Sequence, residues 1–346
     1  MSLVGRLLGL SSSKFALDAG TANTRIHICG AGVVLNQASV LCIHQHDARN
    51  TGARPTQLVG DEARKMLGRL PQHIEAIKPI KGGVISNFAA SEQMIRQFVH
   101  LAREGRRLIG APRITVTVPR GANQVERRAF KEAVHGAGAS HVALFERPLA
   151  AALGAGLVIS EARGCMIVEI GAGTAEIAVI ALGNVVRGVS ARMGGDTFDQ
   201  AILNYVRRTH GLLIGEYTAQ KVKLEIGCAI AHTDERFTEI TGRSLSEGIP
   251  RSRILSSLEV YGALSEPLDH LVTLVRRVLE STPPELAADI ADRGFVLTGG
   301  TALLHGLDQR LREETGLPVV VADQPATSVV RGTGIAIETM DSHFFA

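Results

Sequence analysis

Tryptophan is absent from this 346-residue chain, and aromatic residues make up only 4% of it. Modules that bind single-stranded nucleic acid stack bases on exposed rings, so a chain this poor in rings is not built as one. Its cores must come from Ala, Val, Leu and Ile. Long apolar runs are missing as well. The most apolar stretch, Cys165 to Leu182, carries Glu169, Glu176 and a glycine turn, so it reads as a hairpin and not as a bilayer span. No CxxC spacing joins the four cysteines (Cys29, Cys42, Cys165 and Cys228), three of which sit in apolar runs as reduced thiols do. His44-Gln45-His46 puts two rings on one strand face, but no carboxylate or cysteine stands near to complete a metal set. Charge excess is lacking too: the net charge is +3, and bases alternate with acids as on solvated helices. The opening residues are too short, and lack the small-residue cleavage site, for a signal peptide. Leu3, Leu7 and Leu10 share a helical face there, which suits a frayed terminus as well as an interfacial helix.

With 45% hydrophobic and 21% charged residues, the chain has the make-up of a globular protein of about two domains. Its most informative features are three glycine-centred turns: Leu17-Asp18-Ala19-Gly20-Thr21-Ala22-Asn23-Thr24, Glu169-Ile170-Gly171-Ala172-Gly173-Thr174-Ala175-Glu176, and Val296-Leu297-Thr298-Gly299-Gly300-Thr301. The first two lie between short β-type runs and read as hairpin tips, whose backbone N–H groups converge on a concavity suited to phosphate. The third follows the strand Phe295-Val296-Leu297 and is expected to open a helix that presses backbone against a base or ribose. One such turn is ordinary; three in this order imply two similar lobes closing on one nucleotide. No G-x-x-x-x-G-K-[ST] string is present, so a P-loop is excluded.

Periodicity predicts strands near 14–18, 25–29 and 33–36, and helices at 61–67 and 91–104, the latter with Met94, Ile95, Phe98, Val99 and Leu101 inward. A strand at 113–119, a helix at 124–135, a strand at 142–145 and an Ala-rich helix at 148–153 complete the first half. The second half repeats the theme: hairpin 165–182, strand 185–190, helices 196–208 and 217–226, strand 236–241 and helix 259–280. Strand 295–298, a helix from about 301, strand 318–322 and a last helix near 331–340 close it. This is an α/β architecture of two related halves.

In these residues the chain resembles the actin-like ATPase superfamily and, within it, the MreB family of bacterial cell-shape filament proteins. Beyond the three turns, the likeness rests on Ile77-Lys78-Pro79-Ile80-Lys81-Gly82-Gly83-Val84-Ile85, on Arg192-Met193-Gly194-Gly195-Asp196, on Ala150-Ala151-Ala152-Leu153-Gly154 and on Pro283-Pro284-Glu285-Leu286-Ala287. The resemblance implies an actin-like (ribonuclease-H-like) two-lobed fold, each lobe a mixed sheet with flanking helices, and a nucleotide cleft between the lobes. Domain I would take residues 1–147 and 322–346, with an insert at about 32–78. Domain II would take 148–321, with an insert at about 182–250.

The resemblance also implies ATP with Mg2+. Gly20, Thr21, Ala22 and Asn23 would hold phosphates from one side, and Gly171, Ala172, Gly173 and Thr174 from the other. Asp18 and Glu169 would serve the metal. Gly194, Gly195 and Asp196 would line the phosphate end, Gln220 and Lys223 the ribose, and Gly299, Gly300 and Thr301 the adenosine. The expected partners are further copies of the chain in head-to-tail filaments, a related MreB, the anionic inner face of the cytoplasmic membrane and the cell-wall elongation machinery, with no nucleic acid. The location expected is cytoplasmic, peripheral at that membrane.

Departures from the family pattern gather at the γ-phosphate. Where the family has Glu-Glu-Pro, with the second glutamate orienting water, this chain has Glu146-Arg147-Pro148. Arginine cannot take a proton near neutral pH, because its pKa exceeds about 12. It can hold a phosphate oxygen or stabilise transferred charge. Glu169 replaces an aspartate, Ala172 a glycine, Ala175 a threonine and Gln220 a glutamate. The catalytic set is therefore reduced to Glu146, Arg147 and Thr174. Loss of a base removes about 10²–10⁴ in rate, so ATP bound with slow or absent hydrolysis is the favoured expectation. Drift compensated by Glu146 or a water network, and a site too distorted for ATP, stand beside it. The loop Arg103–Pro112 offers Leu108 and Ile109 beside three arginines, which fits insertion into an anionic leaflet or a capped loop starting the next strand. The alternative from another class is a small-molecule phosphotransferase on the same fold.

Overall fold

The computed structural model describes residues 13–44, 57–68, 74–106, 108, 110–231 and 235–340. The leucine face at the start of the chain, His46 and Ile109 lie outside the described residues. Two compact units result, one running to Leu157 and resuming at Thr327, the other spanning Val158–Ala326.

The first unit opens with an antiparallel meander, β1 (Lys14–Ala19), β2 (Asn23–Ile28) and β3 (Gly32–Ala38). A small sheet follows, formed by β4 (Leu41–His44), β5 (Gln57–Val59) and β6 (Ile74–Ile77), with α1 (Gly60–Met66) between β5 and β6. The hairpin of β7 (Ile80–Lys81) and β8 (Val84–Ile85) leads into α2 (Phe88–Arg103). Then come β9 (Arg113–Val118), α3 (Gln124–Gly136), β10 (His141–Glu146) and α4 (Arg147–Gly154). The main sheet has the order β10-β9-β1-β2-β3, in which β9 and β10 run parallel to β1.

Helix α2 begins three residues before the predicted start, because the Asn87 side chain accepts from Ala90 N at 3.0 Å and caps it. Its buried stripe is Met94, Ile95, Phe98, Val99 and Ala102. Leu101, expected inward, is 40% exposed. Two residues on from Val99 it stands about 200° round the helix, and Ala102 takes the inward place. Helix α3 carries a full capping box between Asn123 and Glu126, an arrangement whose cap alone is worth about 1 kcal/mol.

The second unit repeats the plan. β11 (Cys165–Ile170), β12 (Ala175–Ala181) and β13 (Asn184–Ala191) form the meander, followed by α5 (Gly195–His210), β14 (Leu212–Leu213) and α6 (Glu216–Ile226). The strand expected at 236–241 is half of a hairpin, β15 (Phe237–Ser244) and β16 (Pro250–Ser256). Strand β16 escaped the sequence reading because its first five residues are exposed and it starts on a proline, as an edge strand can. Next are α7 (Ser257–Glu280), α8 (Pro284–Arg293) and β17 (Phe295–Thr298). The third turn does not open an α-helix at once: residues Gly300–Leu303 make a single 3₁₀ turn, and α9 (Leu307–Thr315) begins after Gly306. β18 (Val319–Val321) ends the unit, and α10 (Ser328–Thr339) returns to the first, where the Arg331 guanidinium donates to Gly154 O of α4 at 3.1 Å.

The second main sheet has the order β13-β12-β11-β17-β18, with β17 and β18 parallel to β11. Each unit is thus a hairpin meander extended on one side by two parallel strands. Aliphatic side chains fill both cores, and the fully buried rings are phenylalanines. Cys42, Cys165 and Cys228 are buried as free thiols, and burial pushes Cys165 up to about 11.

Candidate functional site

In each unit the first two strands end at the turn expected to take phosphate. In the first, Gly20 N donates to Asn23 O at 3.1 Å, and Ser39 binds the turn from outside: its hydroxyl donates to Gly20 O at 2.7 Å and its amide to Ala22 O at 2.9 Å. Thr21 Oγ1 accepts from Gly83 N at 3.0 Å, which ties the β7–β8 hairpin to the turn. The carbonyls are occupied, while the N–H groups of Thr21 and Ala22 have no protein acceptor among the described residues. That polarity suits an anion.

The second unit brings four of its predicted segments together. Gly171 N donates to Thr174 O at 2.8 Å, closing the turn, and Gly171 O accepts from Gly195 N at 3.0 Å and from Thr301 Oγ1 at 2.8 Å. Asp196 N donates to Ala172 O at 2.8 Å. Lys223 Nζ reaches back from α6 to Gly195 O at 2.8 Å and to Asp199 at 2.7 Å. Turn, α5 N-terminus, third turn and α6 are one hydrogen-bonded assembly. The backbones approach so closely that a Cβ on Gly194 would meet Gly171 O at 2.5 Å and Ala172 O at 2.7 Å. Gly299 has φ +89°, and a side chain there would run into the carbonyl of Ile170. Thr301 and Lys223, expected on adenosine and ribose, thus spend hydrogen bonds on the scaffold. Gln220 lies half-buried one turn before Lys223, and Gly300 is exposed.

Asp18 is 2% exposed at the end of β1. Its Oδ1 accepts from Arg147 Nη2 at 2.8 Å and from Thr117 Oγ1 at 3.3 Å, and its Oδ2 accepts from Arg25 Nη1 at 3.5 Å. The strand order accounts for each partner. Arg25 stands directly opposite Asp18 in the β1–β2 register. Thr117 is on β9, the neighbour on the other side, and Arg147 follows β10 one strand further. Two strand spacings are roughly 10 Å, a span that the long arginine stem closes. Arg147 is 5% exposed and opens α4, where a cation faces the positive end of the helix dipole and needs an anion beside it. Asp18 supplies that anion. The neighbouring Glu146 takes a separate set of partners, Arg120 at 3.5 Å and Arg127 at 3.4 Å.

This arrangement does not fit magnesium at Asp18. Both carboxylate oxygens are engaged by donors, and two guanidinium groups would repel a dication that tolerates little deviation from an octahedral oxygen shell. In the second unit Glu169 is 2% exposed, and Glu176, also buried, stands opposite it across β11 and β12. Glu176 Oε1 accepts from Ser190 Oγ at 2.6 Å. Among the described residues no group of three or more His, Cys, Asp or Glu could hold a metal ion.

Leu108, one of the two residues expected on a membrane, is partly buried against the core of the first unit. Arg103 Nη2 donates to Gly110 O at 2.8 Å and Arg106 Nη1 to Ala102 O at 3.0 Å, so two of the three loop arginines bind their own backbone. No helix among the described residues is long and apolar enough to cross a membrane.

The sequence reading missed Ser39, Thr117, Asp199 and the Arg25–Asp18 pair. Only the last had a local signal: in a hairpin whose turn is centred between residues 21 and 22, residues 18 and 25 face each other.

Comparison with known proteins places the geometry in a family. Residues 12–344 match the family described as MreB/Mbl protein. The chain is 50% identical to the cell shape-determining protein MreB of Escherichia coli (strain K12) over 341 residues, covering 99% of this chain and 98% of that protein. It is 43% identical to the cell shape-determining protein Mbl of Bacillus subtilis (strain 168), covering 94% and 96%. Among solved structures, MreB5 of Spiroplasma citri bound to AMPPNP superposes with a TM-score of 0.86 at 31% identity, covering 95% of this chain and 97% of that one. The same protein bound to ADP gives 0.87. The MamK double helical filament, at 20% identity and a TM-score of 0.79, has the same fold.

Proposed function

The chain belongs to the MreB/Mbl family, and on that premise we propose that it is an ATP-binding subunit of an actin-like filament that acts in cell shape, with slow or absent hydrolysis. The carrying observation is the assembly of the Gly171 turn, Gly194–Asp196, Thr301 and Lys223, which offers the amides of Ala172 and Gly173 without protein acceptors among the described residues. The Gly20–Asn23 turn repeats the same polarity in the other unit. Nucleotide-bound MreB5 supports the reading. The adenine and ribose fall to Gly299, Gly300, Thr301, Gln220 and Lys223.

Slow hydrolysis follows from position 147. An arginine held against Asp18 is no proton acceptor, and Glu146 is engaged by Arg120 and Arg127. Thr174 is buried at the end of its turn and adds no base. Family membership sets the phosphotransferase alternative aside. Self-assembly head to tail, association with the inner face of the cytoplasmic membrane and contact with the wall-elongation machinery belong to the same proposal. Leu108, which is only partly buried, and Ile109 carry the membrane role of the loop.

The test is sedimentation and electron microscopy of purified protein with AMPPNP, with and without anionic liposomes. Filaments that pellet with nucleotide are expected. A folded protein that neither binds AMPPNP nor assembles, alone or with a related MreB, would refute the reading. An Ile109→Ser protein that co-sediments with liposomes as well as wild type would remove the loop from it.

A further inference from the structure

Taking the ATP-binding reading as its basis, we propose that the Thr301 hydroxyl is a positioning group for phosphate: it holds the carbonyl of Gly171 and so aims the N–H of Ala172 at the ligand. In a trans peptide the C=O and the N–H point in opposite directions, so fixing one fixes the other. Gly171 O and Ala172 N belong to one peptide unit. Thr301 Oγ1 donates to that oxygen at 2.8 Å and Gly195 N at 3.0 Å, which fills both of its lone pairs. The N–H on the far side of the same unit has no protein acceptor among the described residues. Ala172 O accepts from Asp196 N at 2.8 Å, which orients the Gly173 N–H by the same rule. Thr301 is 9% exposed in the 3₁₀ turn of Gly300–Leu303, and its hydroxyl packs against α5, where a Cβ on Gly195 would stand 3.1 Å from Oγ1. A hydroxyl spent on the phosphate turn leaves the adenosine to the backbone of residues 299–301.

The first unit carries the same device from unrelated sequence. Ser39 Oγ donates to Gly20 O at 2.7 Å, and Gly20 O shares its peptide unit with the Thr21 N–H, which has no protein acceptor among the described residues. Because the one Ser39 hydroxyl proton is spent there, Thr24 Oγ1, 2.9 Å away, is the donor to Ser39 Oγ. Both of these residues are fully buried. A turn prepared in this way takes phosphate without first reorienting its peptides, and the hydroxyls remove that cost of binding.

The experiment is amide NMR and equilibrium titration of the full chain with ATP, for wild type, Thr301→Val, Thr301→Ser and Ser39→Ala. In wild type the Ala172 and Thr21 amide protons are expected to move downfield on saturation with ATP. Thr301→Val keeps the side-chain shape and loses the donor. Its affinity should fall about three- to tenfold, with a smaller shift at Ala172 and an unchanged one at Gly300. Thr301→Ser should restore both. Ser39→Ala should lower affinity by a similar factor, weaken the shift at Thr21 and leave that at Ala172. A Thr301→Val protein that binds as wild type, or whose altered shift lies at Gly300 and not at Ala172, overturns the proposal. So does a wild type in which ATP moves other amides but leaves Ala172 in place, a result that needs no variant to fold. A folded wild type whose spectrum ATP does not change refutes the ATP-binding reading itself, an outcome distinct from the other two.

Discussion

Replacing Arg147 by alanine and Asp18 by alanine, singly and together, tests the buried pair by its coupling. At 2.8 Å and an effective dielectric of about 20, the two charges attract by about 6 kcal/mol before desolvation. Removing each ion from water costs several kcal/mol, so the net coupling is expected at about 2–4 kcal/mol. Arg147→Ala leaves Asp18 with Arg25 at 3.5 Å and Thr117 at 3.3 Å, so its own cost should fall near 2–3 kcal/mol, below the roughly 3–5 kcal/mol of a stripped partner. Asp18→Ala removes the acceptor of the 2.8 Å bond at the positive end of α4 and should also destabilise the fold. The assay is urea unfolding by circular dichroism for the four proteins, with the slope checked for two-state behaviour. Additivity of the single costs to within about 0.5 kcal/mol would refute the claim that the two residues act as a unit.

Other substitutions probe the rest of the site. Gly194→Ala puts a Cβ 2.5 Å from Gly171 O and pushes α5 off the second turn, so ATP affinity should fall by at least about tenfold; an unchanged titration would contradict the close-packed assembly. Lys223→Met removes bonds to Gly195 O and Asp199, at a cost of about 1–3 kcal/mol in thermal unfolding and a weaker nucleotide complex. Stability should also depend on pH through Glu259. Burial opposes its ionisation, but the Ser256 amide, His210 at 2.8 Å and Tyr205 outweigh it and hold the carboxyl below its ordinary 4.5. The contribution is therefore complete above pH 4.5 and is lost as the pH falls through the lower folded value. Glu259→Gln should flatten that acid limb, and an identical pH profile would contradict the assignment.

Much of this was written locally. The hairpin turns at Gly20–Asn23 and Gly171–Thr174 have glycine where the backbone folds back and apolar strands on each side, a signal contained within about ten residues. Helix caps at Asn123 and Ser256 were likewise local. Strand β16 was not, since an exposed edge strand of Pro, Arg and Ser has no apolar alternation to betray it. The partner of Arg147 was illegible for another reason: it depends on β9 lying between β10 and β1, and strand order is a long-range fact. Sequence placed Arg147 at a phosphate; packing gives it Asp18, 129 residues away. The packing of Leu108 was illegible in the same way, because an apolar residue beside arginines reads the same whether it faces lipid or core.

The most direct test of the account is phosphate release from ATP by purified protein, measured beside nucleotide binding and repeated with Arg147→Glu. Tight binding with negligible release, and release gained when a carboxylate is restored at position 147, is the predicted result. Equal release by wild type and Arg147→Glu would mean that Arg147 does not govern the chemistry, and would contradict the account.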